Sequence, residues 1–184
     1  MLIGFKIKRN SSGQISRYKA RLVAQGFSQQ LGTDFDEIFS PVVHYDSLRL
    51  LIALSCHLQW IPDQLDIKGA FLYGYLKDIY MKPSEGYEKA GYYAKLNRSI
   101  YGLKQSPKAW YERLTTFLIS LGFTVTVFDP CVLIHSKHQL FVAIYVDDIT
   151  LFGPPGSHQE ALKKVLKSEF QLTDIGALHW LLGL

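Results

Sequence analysis

The chain has 184 residues, 48% of them apolar and 20% charged, a composition that excludes a disordered chain and allows one domain, or one domain of two lobes, with a sizeable core. Two cysteines exclude a disulfide-rich secreted scaffold, and the absence of any long apolar run argues against a membrane span. Net charge is only +4, but residues 1–33 carry Lys6, Lys8, Arg9, Arg17, Lys19 and Arg21 and no acid before Asp34. Such a basic lobe suits a polyanionic partner, and charge alone is equally compatible with a solvated hairpin.

In chain order, Gly4–Arg9 alternates apolar and basic residues and predicts a strand. Asn10-Ser11-Ser12-Gly13 predicts a turn, and Ile15–Ala24 the returning strand. Ser47 is placed to cap a helix over Leu48–Trp60, with Leu48, Leu51, Ile52, Leu54, Ser55 and Leu58 on one wide stripe. Cys56 and His57 are expected to pack in the core from that helix. Gln64–Ile67 predicts a short strand, Lys68–Tyr75 a helical turn, and Asp78–Lys82 another strand before the Pro83–Gly86 loop. Tyr92–Leu96 is strand-like, and Ser99–Ser106 is a glycine-containing loop. Pro107 starts a helix over about Lys108–Leu121, stopped by Gly122. Cys131–His135 and Leu140–Val146 predict a hairpin, and a second bend at Asp147-Asp148 leads into Ile149–Phe152. After Gly153-Pro154-Pro155-Gly156, Ser157 is expected to cap a helix over His158–Phe170, with Glu160 in the capping-box position. Leu172–Leu184 is apolar and without a clear pattern. Helices and strands without a strict βαβ rhythm predict an α+β fold with a mostly antiparallel sheet.

Three carboxylates concentrate the chemistry. Asp147 and Asp148 lie between two apolar runs that require burial, Phe141–Val146 and Ile149–Phe152. An acid pair at a hairpin tip is either an ordinary turn or a rim site for a divalent cation. Asp66, which also interrupts an apolar segment before a turn, offers the further acid that a cation site needs. Nucleotidyl transfer develops negative charge on attacking and leaving oxygens together, and paired Mg²⁺ ions about 4 Å apart stabilise both. Mg²⁺ prefers oxygen ligands, which favours aspartate over histidine or cysteine. Cys131, His135 and His138 supply only three ligands for a zinc site and are read as packing.

Tyr145-Val146-Asp147-Asp148 resembles the catalytic box of reverse transcriptases. The wider sequence resembles the copia-type retrotransposon subgroup at Arg17–Phe27, Phe39–Val43, Gln64–Leu72, Ile79–Lys82, Tyr101–Pro107, Trp110-Tyr111 and Phe128–Cys131, collinearly over nearly the whole chain. The resemblance implies a right-hand polymerase: a basic fingers hairpin at about 1–30 and palm elements at about 42–82 and 107–184, an antiparallel palm sheet packed on helices. It further implies truncation at both ends, with the thumb missing. Asp66, Asp147 and Asp148 would be catalytic and, with the Ile67 carbonyl, would hold two Mg²⁺ ions, with Mn²⁺ as a substitute. Phe71 would block a 2′-hydroxyl and so select deoxynucleotides. Lys8, Lys19 and Arg21 would meet the triphosphate, and Gln105 would lie near the template and incoming base.

The implied activity is RNA-directed DNA polymerisation within a Pol polyprotein. The alternative is a truncated, non-catalytic remnant with weak nucleic-acid binding. The implied partners are an RNA or DNA template-primer, deoxynucleoside triphosphates and, in the polyprotein, integrase and ribonuclease H domains, with no membrane. The implied location is intracellular, in a cytoplasmic virus-like particle where the parent element is active.

Overall fold

A computed structural model describes residues 2–10, 12–84 and 86–183. The expected turn residue Ser11 and the loop residue Glu85 lie outside the described residues. The strands are β1 (Leu2–Arg9), β2 (Ile15–Val23), β3 (Asp63–Ile67), β4 (Tyr75–Met81), β5 (Ala94–Arg98), β6 (Thr124–Val125), β7 (Val132–His135), β8 (Leu140–Tyr145), β9 (Asp148–Phe152) and β10 (Leu172–Ala177). The helices are α1 (Tyr45–His57), α2 (Ser106–Ser120) and α3 (Ser157–Glu169), with single 3-10 turns at Gly26–Ser28, Ala70–Tyr73 and Ser136–His138. This is a mixed α+β fold with antiparallel sheets, as the sequence predicts. Among the described residues no helix is long and apolar enough to cross a membrane.

The chain forms two compact units. Unit 1 is Met1–Phe39 with Phe71–Trp110, and unit 2 is Ser40–Ala70 with Tyr111–Leu184. Residues 71–82, which the resemblance groups with the palm elements at about 42–82 and 107–184, fall in unit 1, where β4 pairs with β5.

In unit 1, the register of β1 against β2 sorts their side chains sharply. Lys6 opposes Lys19, Lys8 opposes Arg17 and Gly4 opposes Arg21, so the cations share one face. Ile3, Phe5 and Ile7 oppose Leu22, Ala20 and Tyr18 on the other face, where Phe5 is 81% and Tyr18 73% exposed.

Unit 2 is built on a sheet of order β10-β3-β9-β8-β7-β6, in which every pairing is antiparallel. Ile149, Thr150, Leu151 and Phe152 are buried in succession, so both faces of β9 are covered. Leu65, Ile67, Leu133, Val142 and Ile144 complete the buried sheet surface. The helices bury Leu48 and Leu51, Leu114 and Leu118, and Leu162 and Leu166, and each such side chain contributes about 2 kcal/mol of apolar burial. The rings of Phe117 and Phe170 meet edge-on at 5.4 Å.

Asp129 is 2% exposed and accepts the backbone N–H groups of His44 at 2.9 Å and Cys131 at 3.0 Å. It therefore fastens the approach to α1 onto the entry of β7. Lys163 of α3, 6% exposed, pairs with Asp63, which starts β3, and with Asp174 of β10. Gln159 donates to the same Asp63 carboxylate at 2.9 Å. These bonds fix α3 along β3, the strand that carries Asp66.

Several boundaries and caps differ from expectation. α1 begins at Tyr45 after His44, with no side-chain cap from Ser47, because the segment is already held through Asp129. Cys56 and His57 are exposed rather than core, since Leu48, Leu51 and Ser55 occupy the buried stripe one turn away. α3 starts at Ser157 after Gly156, and Glu160 pairs with Lys163 instead of closing a capping box. The apolar tail predicted without pattern contains β10, which pairs with β3.

His138 stacks on His158 at 3.9 Å and lies 4.4 Å from His135, joining the β7–β8 turn to the start of α3. Burial, then the neighbouring His158, His135 and Lys137, hold the His138 imidazole below its ordinary 6.5. A depressed histidine contributes stability that is present above pH 6.5 and lost as pH falls below it. Thermal melting of wild type should therefore weaken more from pH 7.5 to 5.5 than that of His138→Gln, and parallel profiles would exclude the stack as the cause.

Candidate active site

The β3–β9 register sets Asp66 directly opposite Asp148. Opposed side chains in an antiparallel pair have Cβ atoms about 4.5–5.5 Å apart. Beyond the last paired residue, the Ile67 N–H donates to the Asp147 carbonyl at 2.9 Å, so the β8–β9 tip is bonded over the end of β3. All three aspartates are half-buried. Burial first, then the Asp147 and Asp66 charges, push the Asp148 carboxyl up, while a hydrogen bond from Gln64 acts in the opposite direction. The three acids therefore share one end of the sheet and repel one another there.

The bend differs from expectation by one residue. Tyr145 pairs with Asp148, so the two-residue connection is Val146-Asp147 and Asp148 begins β9. Two-residue hairpins favour turns with φ > 0 at the first central position, normally filled by glycine. Here Val146 takes φ +55°. A β-branched residue in that region costs about 1–3 kcal/mol, a strain typical of functional turns. Val146→Gly should raise stability by about 1 kcal/mol in a urea titration. An unchanged or lowered midpoint would show that Val146 gains more from its contacts than the backbone loses.

Among the described residues, no group of three or more histidine, cysteine, aspartate or glutamate side chains is arranged to hold a metal ion. The acids instead form an open edge of hard oxygen donors, one of them destabilised by the charge of the other two. That donor chemistry fits a divalent cation that keeps positions for substrate oxygens, as Mg²⁺ does. Cys131 is buried at the end of the segment held by Asp129, and burial pushes its thiol up to about 12, the opposite of what a thiolate metal ligand requires.

Unit 1 contributes a different constellation. Lys6 against Lys19 and Lys8 against Arg17 are like charges directly across a strand pair, an arrangement that disfavours the bare hairpin. An anion bound on that face would offset the repulsion. Phe71, in the 3-10 turn, lies 4.7 Å from the ring of Tyr101, and the Arg21 guanidinium stands 4.8 Å over that same ring. Tyr101 was visible in the sequence only as one member of a longer motif, because a ring that meets two residues so distant in sequence leaves no local pattern. Gln105 is engaged by protein: its amide accepts from Gln29 at 2.9 Å and donates to the Asp34 carbonyl at 3.1 Å. Lys8 is exposed and Lys19 half-buried on the basic face.

Residues 3–184 match the family described as reverse transcriptase (RNA-dependent DNA polymerase). The retrovirus-related Pol polyprotein from transposon TNT 1-94 of Nicotiana tabacum is 41% identical over 187 residues, covering 98% of this chain and 14% of the relative. The retrovirus-related Pol polyprotein from transposon RE1 of Arabidopsis thaliana is 38% identical, covering 98% of this chain and 13% of the relative. The transposon Ty1-DR4 Gag-Pol polyprotein of Saccharomyces cerevisiae is 31% identical, covering 83% of this chain and 10% of the relative. The chain thus spans a small part of the length of these relatives. No solved structure matches it.

Proposed function

The chain belongs to the reverse transcriptase (RNA-dependent DNA polymerase) family, and from that premise we propose that it carries the nucleotidyl-transfer centre of a copia-type Pol polyprotein. The observation that carries this reading is the set of three acids at one end of unit 2: Asp66 opposite Asp148, with Asp147 on the strained tip bonded to Ile67. Unit 2 serves as palm and unit 1 as fingers, with residues 71–82 assigned to the fingers. Asp66, Asp147 and Asp148, with the Ile67 carbonyl, would hold two Mg²⁺ ions, and Mn²⁺ would substitute. When bound, the ions stabilise the attacking and leaving oxygens of phosphoryl transfer. The carboxylates orient those ligands through the β3–β9 ladder and the β8–β9 turn. Arg21, with Lys8 and Lys19 on the same face of the hairpin, binds the triphosphate of an incoming deoxynucleotide. Phe71 excludes a 2′-hydroxyl by steric clash. Gln105 braces the 29–34 loop near the template. A template-primer suits the family, the Pol names of the relatives support further domains as partners, and we take integrase and ribonuclease H to be among them.

Primer extension on a primed RNA template tests the reading, with the 184-residue chain alone and within a full-length polyprotein. Mg²⁺-dependent extension with deoxynucleotides is expected in the polyprotein. Template binding should fall steeply with salt, since phosphate contacts release counterions. Phe71→Ala should raise ribonucleotide incorporation about 10–100-fold, the range set by one steric contact. Absence of extension in both contexts would favour the non-catalytic remnant.

A further inference from the structure

We propose that Lys163 of α3 is a positioning residue for nucleotidyl transfer: it clamps β3 and β10 from one face of the sheet and so fixes the register in which Asp66 is presented on the other. The inference rests on the nucleotidyl-transfer reading above and goes beyond it by giving the acidic cluster a support outside the site. Lys163, Asp63, Asp66 and Asp174 all belong to unit 2.

Alternation along β3 places Asp63 and Leu65 on one face and Gln64 and Asp66 on the other. The Lys163 ammonium lies 2.5 Å from Asp63, 3.5 Å from Asp174 and 3.1 Å from Glu160 of its own helix. The β10–β3 register shifts between Asp174 and Gly176, which leaves Ile175 as the extra residue of a bulge. Asp174 accepts the Gly176 N–H at 3.0 Å and so is held at that bulge. Lys167 reaches the same carboxylate at 3.5 Å. Burial opposes the charge on both Lys163 and Asp174. Their hydrogen bonds and opposite charges outweigh it, holding the Lys163 ammonium above its ordinary 10.5 and the Asp174 carboxyl below its ordinary 3.8. Both ions therefore persist at neutral pH.

The clamp answers a specific problem. Asp66 opposes Asp148 across the β3–β9 pair, and like charges in that position disfavour the register. β3 has only five residues, and a slip of one would turn Asp66 to the α3 face. The same slip would take Asp63 away from Lys163 and from Gln159, which is 4% exposed. Lys163 would then be a buried cation short of its partner, and leaving such a charge unpaired costs several kcal/mol. The ion pair thus specifies register more than it adds stability. It holds the start of β3 against the repulsion at Asp66.

The test is primer extension by the full-length polyprotein across a Mg²⁺ titration. Calorimetric Mg²⁺ binding and metal-free melting of the 184-residue chain are measured on the same variants. Lys163→Met should weaken Mg²⁺ binding about 10–100-fold, the usual cost of losing a group that orients a metal ligand. It should also lower kcat while leaving KM for the deoxynucleotide unchanged. Lys167→Met removes the same charge but keeps the Asp63 arm, and should bind Mg²⁺ as wild type does. Lys163→Met combined with Asp63→Leu removes both ions of the pair, which costs much less folding stability than orphaning one. That double variant should melt near wild type and still bind Mg²⁺ weakly, so the result stands even where Lys163→Met alone fails to fold. A double variant that both melts and binds Mg²⁺ as wild type does overturns the inference. So does Lys163→Met that loses folded fraction at an unchanged Mg²⁺ midpoint; in either case the acidic site stands without the clamp. Wild type that neither extends a primer nor binds Mg²⁺ overturns the nucleotidyl-transfer reading itself, and this inference with it.

Discussion

Asp147→Asn, and separately Asp66→Asn, should reduce primer extension by about 10³-fold or more, since the cation binding lost is worth several kcal/mol in the transition state. The same substitutions should make the metal-free protein more stable. Asp148 is held above its ordinary range by burial and by its two acidic neighbours. A carboxyl with a raised folded-state pKa contributes stability below its ordinary value of 3.8, and that contribution is lost as pH rises through the folded-state value. At neutral pH the ionised cluster is therefore a cost, and neutralising one neighbour relieves it. Wild type should gain melting temperature on addition of Mg²⁺, and Asp147→Asn should gain much less. A variant that loses activity and also loses stability would mean that Asp147 acts through the turn rather than through its charge.

Asp129→Ala should destabilise the protein by about 3 kcal/mol in a denaturant titration, with m unchanged. Two N–H groups, from His44 and from the buried Cys131, lose their acceptor together. Water has little access to replace it, as the side chain is 3% exposed. Asp129→Asn keeps one acceptor oxygen and should cost roughly half as much. Equal midpoints for wild type and Asp129→Ala would show that the 42–44 segment holds by packing alone. The result matters beyond stability, because Phe128–Cys131 is one of the stretches that carry the family resemblance. Its aspartate has a structural task two strands across the sheet from the acidic cluster, since Cys131 precedes β7 and Asp148 begins β9.

Much of this protein was legible from local sequence. The β1–β2 hairpin, the strand before Asp66, the helix starting beside Pro107 and the β8–β9 hairpin all show period or punctuation within a few residues, because each satisfies its backbone bonds with near neighbours. The candidate carboxylates were legible for a related reason: an acid between apolar runs that demand burial is conspicuous without any tertiary information. What escaped were the features set by long-range pairing. β10 has no strong alternation, and it is a strand because β3 offers it an unpaired edge. The caps expected of Ser47 and Ser157 were not used, because Asp129 anchors the first of those helices from elsewhere in the chain and Asp63 holds the second through Lys163. The opposition of Asp66 to Asp148, the left-handed Val146 and the convergence of Arg21 and Phe71 on Tyr101 each need segments tens of residues apart in fixed register. Sequence determined which groups are candidates for the chemistry. Tertiary structure decided which of them meet, because distances and charge repulsion arise only when the strands are paired.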